Sequence, residues 1–245
     1  MPARYAGDVA YAVLTRDAEG AAPYRAALAR LGLDAIALAV TRTEPPPDPD
    51  ALARAVRAGH DAILVASARG AAALVPVLGD STAEIWAVGP ATAAALGGAR
   101  VAAEGSDGAT VARALLEEYE LPLRVLVPRA EGGRDEAIAI LRAGGAEVTE
   151  VVAYRTVAIA LTGREPGLAL LTAGTAAVCV LFAPSQVAAL NAFAPLASLV
   201  TRFVAIGATT AAALHEAGIA DVAIAATPTA AGIANAVAAV YPPRR

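Results

Sequence analysis

The stretch AVGPATAAAL at residues 87–96 returns as AIGATTAAAL at 205–214, and the residues before each copy also match, DAILVASARGAAAL (61–74) against AVCVLFAPSQVAAL (177–190). Each copy reads as an apolar strand, a junction of Gly, Ser, Thr or Pro, and an alanine-rich helix, twice in succession. Two matching strand–helix units point to two domains of one doubly wound α/β type. Outward from the repeat the alternation continues. Strands are predicted at VAYAVLTR (9–16), DAIALAVTRT (34–43), EIWAVG (84–89), RVAAEG (100–105), RVLVPRA (124–130), EVTEVVAYRTVAIA (147–160), RFVAIG (202–207) and DVAIAAT (221–227), with helical patterns between them. Continuously apolar strands alternating with helices predict parallel sheets covered on both faces.

The two longest β runs, 34–43 and 147–160, bracket a middle section that opens with the stiff segment EPPPDPD. If they pair as a connecting ribbon, residues 44–150 form an inserted domain and 1–40 with 157–245 form the other. The length of 245 residues allows one large domain or two of about 100–120 residues equally, and two would leave a cleft.

Composition narrows the chemistry. Hydrophobic residues make up 57% and aromatics 4%, and 69 residues are alanine, so a finely packed globular core is expected rather than disorder or collagen. All 19 basic residues are arginine. Without a lysine ammonium, a Schiff-base enzyme, a pyridoxal-phosphate enzyme and a Walker-type P-loop are excluded. A net charge of −4 argues against nucleic-acid binding. One cysteine, Cys179, and two distant histidines, His60 and His215, assemble neither a disulfide nor a zinc site, and Cys179 in AAVCVLFA reads as a core residue. The N-terminus lacks a long apolar signal region and no membrane helix is predicted, so a cytoplasmic protein is expected.

In open α/β sheets ligands bind beyond the carboxyl ends of the strands, where helix N-termini present free N–H groups. The predicted strand ends repeat one theme: Thr15–Arg16, Ser67 with Arg69, Gly89 to Thr92, Pro128–Arg129 followed by Gly132, Gly133 and Arg134, Pro184–Ser185, Gly207 to Thr210, and Thr227 to Thr229. Each junction alone is as readily an N-cap or tight turn. Their recurrence in both halves suits an anion carrying several acidic groups, bound by backbone amides, hydroxyls and arginine forks. No segment carries a dinucleotide fingerprint, so no nicotinamide or flavin is expected. Tyr154 lies in the run predicted to link the domains, beside Arg155 and Thr156, as either a packing aromatic or a phenol donor.

The ordered motifs VLTR, DAILVAS, AVGPATAAAL, VLFAPSQVAAL, AIGATTAAALHEAG and ATPTAAGI, with GAEVTEVVAYRT at 145–156, resemble the uroporphyrinogen-III synthase family over nearly the whole chain. The resemblance implies two flavodoxin-like domains joined by a two-stranded β ladder. It implies that linear hydroxymethylbilane, an octacarboxylate supplied by porphobilinogen deaminase, is cyclised with ring D inverted and water released. No cofactor or metal is implied, and a monomer is expected. Tyr154 matches the family's proposed acid. Thr92 and Thr210, or its neighbour Thr209, match threonines of two G-x-x-T turns, and Ser67 and Ser185 match junction serines. Thr15, Arg16, Gly89, Arg129, Gly207 and Thr227 complete the expected substrate-binding set. Ala183 and Ala66 stand where hydroxyl residues are common in the family. A non-catalytic two-domain ligand-binding or regulatory module is the alternative, since hinged α/β pairs also serve as receptors.

Overall fold

The computed structural model describes residues 10–97, 99–101 and 107–241. Val9 and residues 102–105 of two predicted strands lie outside the described residues. In chain order the elements are β1 (Ala10–Leu14), α1 (Ala18–Ala29), β2 (Leu33–Ala37), β3 (Thr41–Glu44), α2 (Ala51–Arg57), β4 (Ala62–Val65), α3 (Ala68–Leu74), β5 (Glu84–Ala87), α4 (Pro90–Ala95), β6 (Arg100–Val101), α5 (Gly108–Glu118) and β7 (Arg124–Ala130). They continue with α6 (Glu136–Ala143), β8 (Glu147–Ala158), α7 (Pro166–Thr172), β9 (Ala176–Leu181), α8 (Pro184–Phe193), β10 (Arg202–Ala205), α9 (Ala208–Glu216), β11 (Val222–Ile224) and α10 (Ala230–Val240). The chain divides into two compact units, Met1–Arg42 with Val157–Arg245, and Thr43–Thr156.

The first unit holds a five-stranded sheet in the order β11-β10-β9-β1-β2, its neighbours all parallel. Every residue of β9 is buried, and successive side chains serve opposite faces. Val178 and Val180 pack with Leu28 of α1 and Val237 of α10, while Cys179 and Leu181 pack with Leu171 of α7, Leu190 of α8 and Leu214 of α9. Helices on both faces explain why the strand is apolar throughout.

The second unit holds a six-stranded sheet in the order β3-β8-β7-β4-β5-β6, with the five strands β8, β7, β4, β5 and β6 parallel to one another. One face packs Leu64, Val125 and Val127 against Leu115 of α5 and Leu141 of α6, and the other packs Ile63, Val65 and Leu126 against Val56 of α2 and Leu74 of α3. Apart from the edge strand β3, this order superimposes on that of the first unit, with β7 taking the place of β1, β8 that of β2, and β4 and β5 those of β9 and β10. The last two equivalences are those of the sequence repeat.

One predicted strand divides. The apolar run 34–43 forms β2 in the five-stranded sheet and β3 beside β8 in the six-stranded sheet. Between them Leu38 and Val40 stay buried, with the Leu38 amide donating to the Leu14 carbonyl (2.8 Å) and the Val40 carbonyl accepting from Ile159 (2.9 Å). Burial therefore persists through the break, and the hydrophobic pattern does not register it.

Candidate active site

The second unit brings Tyr154 and Ser67 together at the carboxyl edge of its sheet. β7 and β8 run in register from Arg124 opposite Glu147 to Arg129 opposite Val152, and then Ala130 pairs with Tyr154, leaving Ala153 as the extra residue of a bulge. Val151 and Ala153 face the α2/α3 side of the sheet. Regular alternation would send Tyr154 to the opposite side, but the bulge turns it onto the α2/α3 side as well, where its half-buried ring packs. There its hydroxyl lies 3.0 Å from Ser67 Oγ. Ser67 is the N-cap of α3, in extended conformation, and its Oγ accepts the Gly70 amide at 3.0 Å.

The two G-x-x-T junctions take corresponding positions in the two units. Gly89 caps α4 and Gly207 caps α9, and Thr92 and Thr210 are each the third helical residue. Both threonines are buried, and neither hydroxyl is hydrogen-bonded among the described residues. Thr209 is exposed on the preceding position, so Thr210 is the counterpart of Thr92. The two glycines differ in backbone: Gly89 has φ +83°, whereas Gly207 is fully extended at −177°. Both junctions leave first-turn N–H groups without helical acceptors, the usual cradle for an oxyanion.

The strand-end arginines are in opposite states. Arg129, at the end of β7, is held by Glu150 and Asp135 (2.5 Å each) and donates to the Gly133 carbonyl, closing the glycine-rich loop. The expected substrate contact Arg129 therefore enters with its fork already engaged within the unit. Arg16, after β1, lies over the Phe182 ring at 4.2 Å and near Tyr24 at 5.6 Å, with no carboxylate partner among the described residues. Its donors are open to an incoming anion while the rings steady the plane.

Other expected residues settle differently. Thr15 is buried, its amide donating to the Val180 carbonyl and its hydroxyl lying 2.7 Å from Gln186 Oε1, so it ties β1 to β9 and to α8. Gln186 itself, buried and accepting the Phe182 amide at 2.8 Å, went unnoticed in sequence; its place four residues beyond Phe182, inside the first turn of α8, was the available signal. Ser185 is not equivalent to Ser67. It is exposed within the first turn of α8, and Ala183 occupies the N-cap without a side-chain bond. Thr227 is exposed and pairs at 3.0 Å with Thr229, which caps α10 through Gly232. Cys179 is buried, its thiol pushed up to about 12 by desolvation. Among the described residues no cluster of His, Cys, Asp or Glu could hold a metal ion, and no helix is long and apolar enough to cross a membrane.

With this geometry in view, comparison with known proteins is informative. Two solved structures share the fold: a uroporphyrinogen III synthase of Thermus thermophilus, 19% identical over 94% of this chain and 98% of that one with a TM-score of 0.63, and one of Helicobacter pylori, 20% identical over 94% and 99% with a TM-score of 0.63. Comparison with curated protein sequences finds no match. The family model described as uroporphyrinogen-III synthase HemD matches residues 22–235. That span takes in β4, β5, β9 and β10 of the repeat, the bulged strand that carries Tyr154, and both G-x-x-T junctions, and the chain belongs to the uroporphyrinogen-III synthase family, lyases of tetrapyrrole synthesis.

Proposed function

We propose that this chain converts linear hydroxymethylbilane into uroporphyrinogen III, with Tyr154 as the acid. The observation that carries this reading is the half-buried phenol placed by the β8 bulge against Ser67 at the carboxyl edge of the sheet. Departure of the ring-A hydroxyl needs a proton, and the pyrrole nitrogen lone pair supplies the electrons that expel it as water. Ring D then attacks through its substituted α carbon, and the spiro intermediate fragments and recloses with ring D inverted. The proton lost as the last pyrrole regains aromaticity restores the phenol, so protons and electrons balance.

The eight substrate carboxylates find donors of the right kind in Arg16, the first-turn amides of α4 and α9, and the Thr92 and Thr210 hydroxyls. The order β2-β1-β9-β10-β11 and its counterpart β8-β7-β4-β5-β6 support two flavodoxin-like domains, residues 1–40 with 157–245 and residues 44–150. The place of β3 beside β8 supports the ladder that joins them. The reading takes the enzyme as a cytoplasmic monomer receiving its substrate from porphobilinogen deaminase.

A coupled assay with that deaminase tests it. After oxidation of the product, type III porphyrin is expected in excess over the type I isomer that forms spontaneously. Tyr154→Phe should slow turnover by roughly 10²-fold, the scale of general acid assistance. Type I product alone from the wild-type protein would leave a non-catalytic binding module as the better reading.

A further inference from the structure

Resting on the assignment of Tyr154 as the acid, we propose that Ser67 is a positioning residue for the reaction: it orients the Tyr154 phenol and holds the phenolate that remains once the proton has left.

The groups fix the direction of the Gly70 bond; in the Ser67–Tyr154 pair either hydroxyl can donate, and the proposed role takes the serine as donor. A backbone N–H only donates, so at 3.0 Å the Gly70 amide uses a lone pair of Ser67 Oγ and leaves the serine hydrogen free. Turned toward the tyrosine oxygen at 3.0 Å, that hydrogen leaves the phenol's single hydrogen for the substrate hydroxyl. The chain then runs from Gly70 N–H to Ser67 O–H to Tyr154 O–H, each donor polarising the next. When the tyrosine O–H bond breaks and its proton joins the departing hydroxyl, the serine bond becomes charge-assisted and strengthens. Gly70 is fitted to this use, since a Cβ there would lie 3.3 Å from Ser67 Oγ and 3.5 Å from the Pro128 carbonyl.

Capping alone does not explain Ser67. In the other unit the equivalent N-cap is Ala183, and α8 forms from Pro184 to Phe193 without any side-chain cap bond. The fold thus tolerates loss of the hydroxyl at this junction, and the hydroxyl is present in the unit that carries the tyrosine.

Three variants and one cycle test the role in the coupled assay. Ser67→Ala should lower kcat about tenfold, the worth of one hydrogen bond to a charge, with KM unchanged and the alkaline limb of the kcat–pH profile displaced upward. Ser67→Thr should restore kcat. Ser67→Asp can still cap α3 but cannot donate when ionised, and it should fall below Ser67→Ala. In a Tyr154→Phe background, Ser67→Ala should have no further effect on kcat. A raised KM with kcat unchanged would make Ser67 a substrate contact and overturn the proposal, as would full activity of Ser67→Asp or additive losses in the cycle. Tyr154→Phe with undiminished type III yield would overturn the underlying assignment instead.

Discussion

Arg16 follows β1 and Arg129 lies near the end of β7, the equivalent strand of the other sheet, yet Arg129 is closed between Glu150 and Asp135 while Arg16 rests on Phe182 with no carboxylate partner among the described residues. One arginine organises its own loop and the other stacks on aromatic rings.

Substitution should separate these roles. Arg16→Met is expected to raise KM by about tenfold or more, from the loss of a hydrogen bond to a charged group, and to leave thermal stability unchanged. Arg129→Met is expected to cost about 1 kcal/mol of stability, the upper range for pairs whose carboxylates reach solvent, with a smaller effect on KM. Thermal melts and steady-state kinetics on both variants measure the contrast. Equal KM effects would mean that Arg129 leaves its ion pairs to meet substrate.

The two junction glycines give a backbone test. Gly89 at φ +83° lies where an L side chain is strained, so Gly89→Ala should destabilise by about 1–2 kcal/mol. Gly207 is extended, with nothing within 4 Å of a built Cβ, and Gly207→Ala should melt like the wild type. Matched losses in denaturant titrations would contradict the difference in conformation.

Thr92→Val and Thr210→Val remove hydroxyls that make no hydrogen bond among the described residues, in side chains already buried. Stability should hold or rise slightly, because no internal partner is orphaned. Substrate binding should weaken by about 1–3 kcal/mol for each variant if these hydroxyls meet carboxylates. Unchanged KM in both would assign them to packing alone.

Stability should fall in two steps on acidification. His60 has both ring nitrogens closed from solvent without a hydrogen-bond partner; burial, then repulsion from Arg124, holds its pKa below the usual 6.5, partly opposed by Asp61. The unfolded chain therefore takes up that proton first, and stability declines as pH drops below 6.5 toward the folded value. Glu84 is held below its usual 4.5 by the Tyr119 hydroxyl and then by Arg100, so its contribution is present above 4.5 and fades below it. His60→Gln should flatten the first step and leave the second. A first step unaltered in His60→Gln would place its origin elsewhere.

The alternation of strand and helix was legible because strands at the heart of each sheet, such as β4 and β9, are continuous apolar runs, and the repeat paired β4 and β5 with β9 and β10. The division of residues 34–43 was not legible, since Leu38 and Val40 remain buried across it. Among site residues, Tyr154 and Ser67 could each be picked out by type and place, but their contact spans 87 positions and depends on a bulge that no residue in VVAYRT announces. The ion pairs of Arg129 were hidden for a related reason: Glu150 and Asp135 reach it through strand pairing and a loop, neither of which is visible in composition.

The bulge at Ala153 also gives the catalytic strand a parity. Side chains alternate with a period of two, so Val151 and Tyr154, three residues apart, could not share a side of a regular strand; the extra residue makes up the odd count, and deleting Ala153 would straighten β8 yet leave Tyr154 opposite Ala130 on the side of Ser67. Arg155, one residue further on, is ion-paired at 2.8 Å with Glu44 of β3. The reach of the phenol is therefore set by its register opposite Ala130, which the bulge preserves while admitting one extra residue into the strand.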